Sequence, residues 1–186
     1  MSRTKGIHFK NWEKFIAARG DAGTRERILS RLSDPDRCEL QRLIMPNDWL
    51  DYAVWWRLLV ATDQELGRGD YRLIRSLGAF DARENLAGVY RAFLAMLKPE
   101  FLAARTGLIW RRYYDTGTMK TLVSRPGYGE LQLTDFPDLP LHHEEKIIGW
   151  MVTALTMTNA QKIEVSHPRC MARGEPECRF VLRWRT

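Results

Sequence analysis

Apolar residues in the first 115 positions recur mainly at three- and four-residue steps, the period of a helix. Ser33-Asp34-Pro35-Asp36 reads as a helix start, with a capping serine and a proline in the first turn. Cys38, Leu40, Leu43 and Ile44 supply its short apolar face, which stops before Pro46, and Cys38 is read as a buried hydrophobe. Asn47 or Asp48 is placed to cap the next helix, whose stripe of Leu50, Val54, Leu58 and Ala61 is widened by Trp55, Leu59 and Thr62. Gly67-Arg68-Gly69-Asp70 breaks it. Further helices are predicted from Asp70 to about Phe80, from about Asn85 to Leu97, and from Pro99 towards Gly117.

The period then changes from 3.6 to 2. Thr118–Ser124 and Tyr128–Thr134 alternate around the turn residues Arg125-Pro126-Gly127, which predicts a hairpin. A helix of roughly Leu141–Asn159 follows, with Ile147, Ile148, Met151, Ala154 and Leu155 facing inward. Gln161–Pro168 and Cys178–Trp184 alternate again; in the last strand Cys178, Phe180, Leu182 and Trp184 share one face. The predicted class is α+β, an N-terminal helical block followed by ββ-α-ββ, with a roughly four-stranded antiparallel sheet covered by helices. One domain is expected over 1–186, with 1–10 flexible, 11–115 mainly helical and 116–186 forming the sheet and its helix.

Composition narrows the class. Hydrophobic residues make up 45% and charged residues 28%, as in an ordinary globular chain. The 29 Lys+Arg against 23 Asp+Glu are scattered without a basic run, so nucleic acid is not an expected partner. No stretch has the roughly 18 apolar residues of a membrane span, and Met1–Lys10 has no apolar core of a leader. The expected compartment is the cytoplasm, where three cysteines remain thiols or metal ligands.

Candidate chemistry is sparse. There is no phosphate loop, dinucleotide-binding glycine motif, nucleophile elbow or H-E-x-x-H pair, which argues against an enzyme. Cys170 and Cys178 flank the last chain reversal and suit three outcomes: packed thiols, a cross-hairpin disulfide, or two ligands of a zinc clip. His167 lies three residues before Cys170, and His142, His143, Glu144 and Glu145 cluster at the start of the last helix, so two thiolates plus two of these would make an ordinary tetrahedral structural site. Aromatic residues concentrate on the helices. Trp55, Tyr90, Phe93, Trp110, Tyr113 and Trp150 are the candidates to wall a pocket for a small apolar ligand.

The stretch Cys170-Met171-Ala172-Arg173-Gly174-Glu175-Pro176-Glu177-Cys178-Arg179-Phe180, with Gly149-Trp150, resembles the terminal motif of 4-vinyl reductase domains. Leu43-Ile44-Met45-Pro46 with Trp49, Tyr90-Arg91-Ala92-Phe93, Pro99-Glu100-Phe101 and Trp110-Arg111-Arg112-Tyr113-Tyr114-Asp115 extend the likeness over nearly the whole chain, to a large bacterial family expanded as paralogues in myxobacteria. The resemblance implies the fold shared by 4-vinyl reductase domains, vesicle-transport-particle subunits and, more distantly, haem nitric-oxide sensors. Such proteins are mostly non-enzymatic, and bind small or apolar molecules or dimerise through helices. In similar sensor domains of aromatic-responsive transcription activators, the two motif cysteines hold zinc with an acidic residue three before the first and a further upstream Cys. Here His167 takes the acidic position, and His143 or Glu145 would have to replace the missing Cys. Haem is disfavoured, because neither a Tyr-x-Ser-x-Arg pattern nor C-x-x-C-H occurs.

The expected function is that of a non-enzymatic small-ligand-sensing or protein-interaction domain in bacterial regulation, a homodimer acting through a regulatory protein partner. An architectural adaptor without ligand is the alternative. A reductase-type enzyme is suggested by the family name alone.

Overall fold

The structure is a computed structural model that describes residues 1–186 except the side chains of Val89 and Tyr90. The N-terminus is not the flexible tail expected for 1–10. Strand β1 (Arg3–Lys5) pairs antiparallel with β2 (Trp49–Asp51), and α1 (Gly6–Ala17) follows at once. Ser2 donates through its backbone N–H and its hydroxyl to Asp138, and Ser2, Thr4, His8 and Phe9 are buried. The polar letters hide this, since the inward positions are Ser and Thr held by hydrogen bonds rather than by hydrophobicity.

Helices α2 (Thr24–Ser30), α3 (Asp34–Gln41), α4 (Tyr52–Leu66), α5 (Arg72–Asn85), α6 (Val89–Met96), α7 (Pro99–Ala103) and α8 (Thr106–Tyr113) complete the helical block. Ser33 caps α3 as expected, accepting from the Asp36 N–H at 3.4 Å. Cys38, however, is exposed, because α3 turns Asp36 and Leu40 inward instead. The cap of α4 is Asp51, which accepts from the Ala53 N–H at 2.7 Å, and not Asn47 or Asp48. Asp48 closes the preceding turn by accepting from the Met45 N–H, which leaves Trp49–Asp51 free to pair as β2.

The second half holds β3 (Thr118–Arg125), β4 (Tyr128–Thr134), α9 (Glu144–Thr156), β5 (Gln161–Arg169) and β6 (Cys178–Arg185). Among the described residues the larger sheet is four-stranded and antiparallel, in the order β3-β4-β6-β5. Leu131 pairs with Phe180 and Leu133 with Cys178, so the inward faces of β4 and β6 coincide and bury Leu131, Leu133, Phe180, Leu182 and Trp184. Helix α9 lies backbone to backbone on α5: a Cβ on Gly78 would strike the Lys146 carbonyl, and one on Gly149 the Arg75 carbonyl. No described helix is long and apolar enough to cross a membrane. The fold is mixed α+β, as the periodicity predicts.

Candidate functional site

Two places gather chemistry, and α9 connects them. The first is at its start. Cys170 follows β5, a 3-10 turn runs from Met171 to Arg173, Gly174 takes a φ of 89° that reverses the chain, and Cys178 opens β6. Between Ser166 and Arg169 a bulge shifts the β5–β6 register. His167 within it stacks on Phe180 at 4.5 Å and meets His143 edge-on at 5.3 Å. One donor atom from each of His143, His167, Cys170 and Cys178 falls within 4.8 Å of the others.

The details suit a metal. The Nδ1 of His143 lies 2.8 Å from the Pro140 carbonyl, to which it donates, leaving the Nε2 lone pair facing Cys178 Sγ at 3.4 Å. The Met171 N–H donates to Cys178 Sγ at 3.3 Å. Both ring nitrogens of His167 are buried without a partner. Burial, then the neighbouring His143, holds the His167 imidazole down at about 4, and burial pushes the Cys178 thiol up to about 12. A neutral His167 and a protonated Cys178 thus stand beside His143 and Cys170 with their lone pairs converging, and a cation would displace the Cys178 proton.

Cys170 and Cys178 are not joined in a disulfide. Of the predicted donors, Glu145 is excluded, since it holds Arg75 in a two-pronged ion pair at 2.7 and 3.0 Å. His142 stacks on Tyr71 instead.

The second place is a cavity of about 60 Å³ between α1, α8, α9 and β3, lined by His8, Trp110, Tyr113, Lys146, Ile147 and Trp150 among others. Its wall is almost wholly apolar apart from His8 and Lys146. His8 Nδ1 lies 2.8 Å from Asp81 Oδ2, and the same oxygen accepts from Lys146 Nζ at 2.7 Å. All three side chains are buried. Burial first, and Lys146 second, keep His8 below its ordinary value of 6.5, so the ring is neutral; Nδ1 then carries the proton toward Asp81 and Nε2 keeps a lone pair. That Nε2 is buried with no partner.

Of the predicted pocket residues, Trp110, Tyr113 and Trp150 line this cavity. Trp55 lies behind it, 6.1 Å from the His8 ring. Phe93 is brought elsewhere: it is solvent-exposed on α6, where Leu94 takes the inward position. The Tyr90 side chain lies outside the described residues. Sequence reasoning missed His8, Asp81 and Lys146. The signal for His8 was present, because His8, Trp12 and Phe15 fall on one stripe of α1.

No model of a protein family matches the sequence, and no curated protein matches it. Solved structures do match in fold. An H-NOX protein from Shewanella oneidensis in the Fe(II) ligation state superposes with a TM-score of 0.75 at 14% identity, over 98% of this chain and 96% of that one. The same protein in the Fe(II)NO state gives 0.73 at 15%, over 98% and 99%. An oxygen-binding H-NOX domain related to soluble guanylate cyclases gives 0.67 at 11%, over 98% and 95%.

These likenesses correct the cofactor expectation. Proteins of this fold are described with Fe(II), and one with a TM-score of 0.70 is described by heme distortion in the H-NOX family. At such low identity, short sequence patterns do not carry across a fold, so the missing patterns do not count against haem. None of these structures is described with zinc, and that expectation gains nothing from them. The chain has the fold of H-NOX proteins.

Proposed function

We propose that this chain is a non-enzymatic small-ligand-sensing domain whose ligand occupies the cavity at His8, and whose last hairpin is clasped by a divalent ion on His143, His167, Cys170 and Cys178. The observation that carries the reading is the unpartnered Nε2 of His8 in an apolar, aromatic-lined cavity. A buried nitrogen without a hydrogen bond costs about 1–3 kcal/mol, which a guest with one polar handle recovers. Asp81 behind the ring orients it as a carboxylate orients a metal-bound histidine. A haem iron and the hydroxyl or N–H of a free aromatic molecule make the same demand on that lone pair.

The donor at the cavity suits a haem iron, which His8 would hold with Asp81 fixing the tautomer, but a space of about 60 Å³ does not take the ring system as it stands. The group itself would supply diatomic gas binding, which the Fe(II)NO and oxygen-bound H-NOX chains illustrate for their own cofactor. A cavity of about 60 Å³ accommodates roughly two water-sized guests, so a larger ligand enters by moving α8 away from α9. That displacement is the sensing event in this reading. Helix α9 carries Lys146, Ile147 and Trp150 on the cavity and begins at His143, so it relays the movement to the metal-clasped hairpin. The cavity is poorly suited to catalysis, since Lys146 is tied to Asp81 as an ion pair.

The test titrates the purified chain with haemin and, separately, with indole. One of the two binds at one per chain, and His8→Ala weakens it by at least about ten-fold, a loss of about 1.4 kcal/mol. A sharpened, shifted Soret band that reverts to that of unligated haemin in His8→Ala marks iron ligation, and indole binding without haemin binding marks a free ligand. Trp150→Ala at the cavity wall provides a second reading. Failure of both probes to bind, or binding indifferent to both substitutions, refutes the proposal. For the clasp, cobalt(II) added to metal-stripped protein gives thiolate-to-cobalt absorption that Cys170→Ser and His167→Ala remove; no such absorption in the unsubstituted chain contradicts it.

A further inference from the structure

We propose that the outer face of α6, α7 and α8 docks on an anionic phospholipid surface. Each helix buries one apolar side and shows another. Leu94 is buried on α6, Leu102 and Ala103 on α7, and Trp110 on α8. Facing outward are Phe93 at 59% exposure, Met96 at 85%, Phe101 at 50% and Leu108 at 62%. Inward packing is already satisfied, so these side chains add nothing to the core, and large apolar groups left in water mark a contact surface.

The charge around them points to the partner. Between positions 86 and 113 the chain carries Arg91, Lys98, Arg105, Arg111 and Arg112 against a single acid, Glu100, and so supplies most of its net +6. Among the described residues none of these five cations joins an ion pair. Several arginines elsewhere are engaged, Arg27 and Arg31 with Glu65, Arg57 with Asp36 and Arg75 with Glu145, although Arg19, Arg68 and Arg83 among others also join no ion pair among the described residues. Arg105 donates to the Phe101 backbone carbonyl at 3.1 Å, and the Phe101 side chain is itself exposed.

A second copy of the chain is a poor occupant, since a self-paired face would set like charges opposite one another. A lipid surface supplies what the face lacks. Headgroup phosphates match the unpaired cations, and a fluid hydrocarbon boundary receives apolar side chains that stand singly on separate short helices, without the shape complementarity a protein partner needs. The helices lie on the surface and do not cross it. This inference is independent of the ligand cavity.

Co-sedimentation of the full chain with extruded vesicles tests it, comparing phosphatidylcholine alone with phosphatidylcholine containing about one-third phosphatidylglycerol. The chain pellets with the anionic vesicles only, and about 0.5 M salt releases it. Arg105→Glu with Arg112→Glu, and separately Phe93→Ser with Met96→Ser, each lower binding by more than about ten-fold. Lys162→Glu with Arg185→Glu changes net charge equally on other exposed positions and lowers it by less than about three-fold. Circular dichroism confirms that the variants fold. No pelleting with anionic vesicles, equal loss in the control pair, or capture of the chain by an acidic helical peptide without vesicle binding overturns the proposal.

Discussion

At the scale of single residues, the most consequential group is Asp81, which serves two partners inside the core. Burial works to raise its pKa, but Lys146 and His8 outweigh burial and hold the carboxyl at about 2, against an ordinary 3.8. Its contribution to stability is complete above 3.8 and is lost as pH falls toward 2. His8 acts in the same direction at higher pH. The folded chain refuses a proton that the unfolded chain accepts below 6.5, so stability begins to fall as pH drops through 6.5. Urea midpoints measured across this range should decline in these two windows, and a constant midpoint from pH 7 to 4 contradicts the burial of a neutral His8. Asp81→Asn leaves the Lys146 ammonium buried without its counter-charge, and should cost about 3–5 kcal/mol in urea unfolding.

Of this network only His8 left a signal in the sequence, on the stripe of α1 that it shares with Trp12 and Phe15. Asp81 and Lys146 are charged residues on helices, and in a one-dimensional pattern such residues read as solvent-facing. The contact that buries them spans 65 positions. The thiol site was more legible, because Cys170, Cys178 and His167 sit close together in sequence around one chain reversal. His143 was found by donor chemistry, and the same criterion wrongly admitted Glu145, since it says nothing of which turn of a helix faces the cluster.

At the scale of elements, the pairing of α5 and α9 matters most, because it holds the ion pair and sets the height of the cavity wall. Gly78 and Gly149 are the reason the two backbones approach so closely. Alanine is the better helix former by about 1 kcal/mol. Even so, Gly149→Ala should destabilise the protein by about 1–3 kcal/mol, because the new methyl meets the Arg75 carbonyl, which is backbone and gives way only if the helices separate. Thermal unfolding of this variant checks the argument, and a gain in stability would falsify it. Long periodic elements were readable: β4 spans Tyr128–Thr134, and β6 follows the alternation of Cys178, Phe180, Leu182 and Trp184. Short ones were not. Strands β1 and β2 have three residues each, too few for any period to register, and they are recognised only through the ladder between them.

At the scale of the whole molecule, the helical block and the sheet meet along α9, with a cluster of metal-type donors at one end of the helix and an apolar cavity along its side. If an ion clasps the hairpin, a chelator should lower the melting temperature by about 5 °C or more, and Cys170→Ser should show no further loss on chelation. An equal response in both chains places the ion elsewhere.

The central claim, that the ligand is received by His8, is open to one direct reading. The chain has four histidines, and with ¹⁵N in their rings each nitrogen can be followed by NMR during titration with haemin or indole. Movement or paramagnetic broadening of the His8 Nε2 resonance, with His142 unmoved, is the predicted result. A bound ligand that leaves His8 Nε2 where it was would contradict the account.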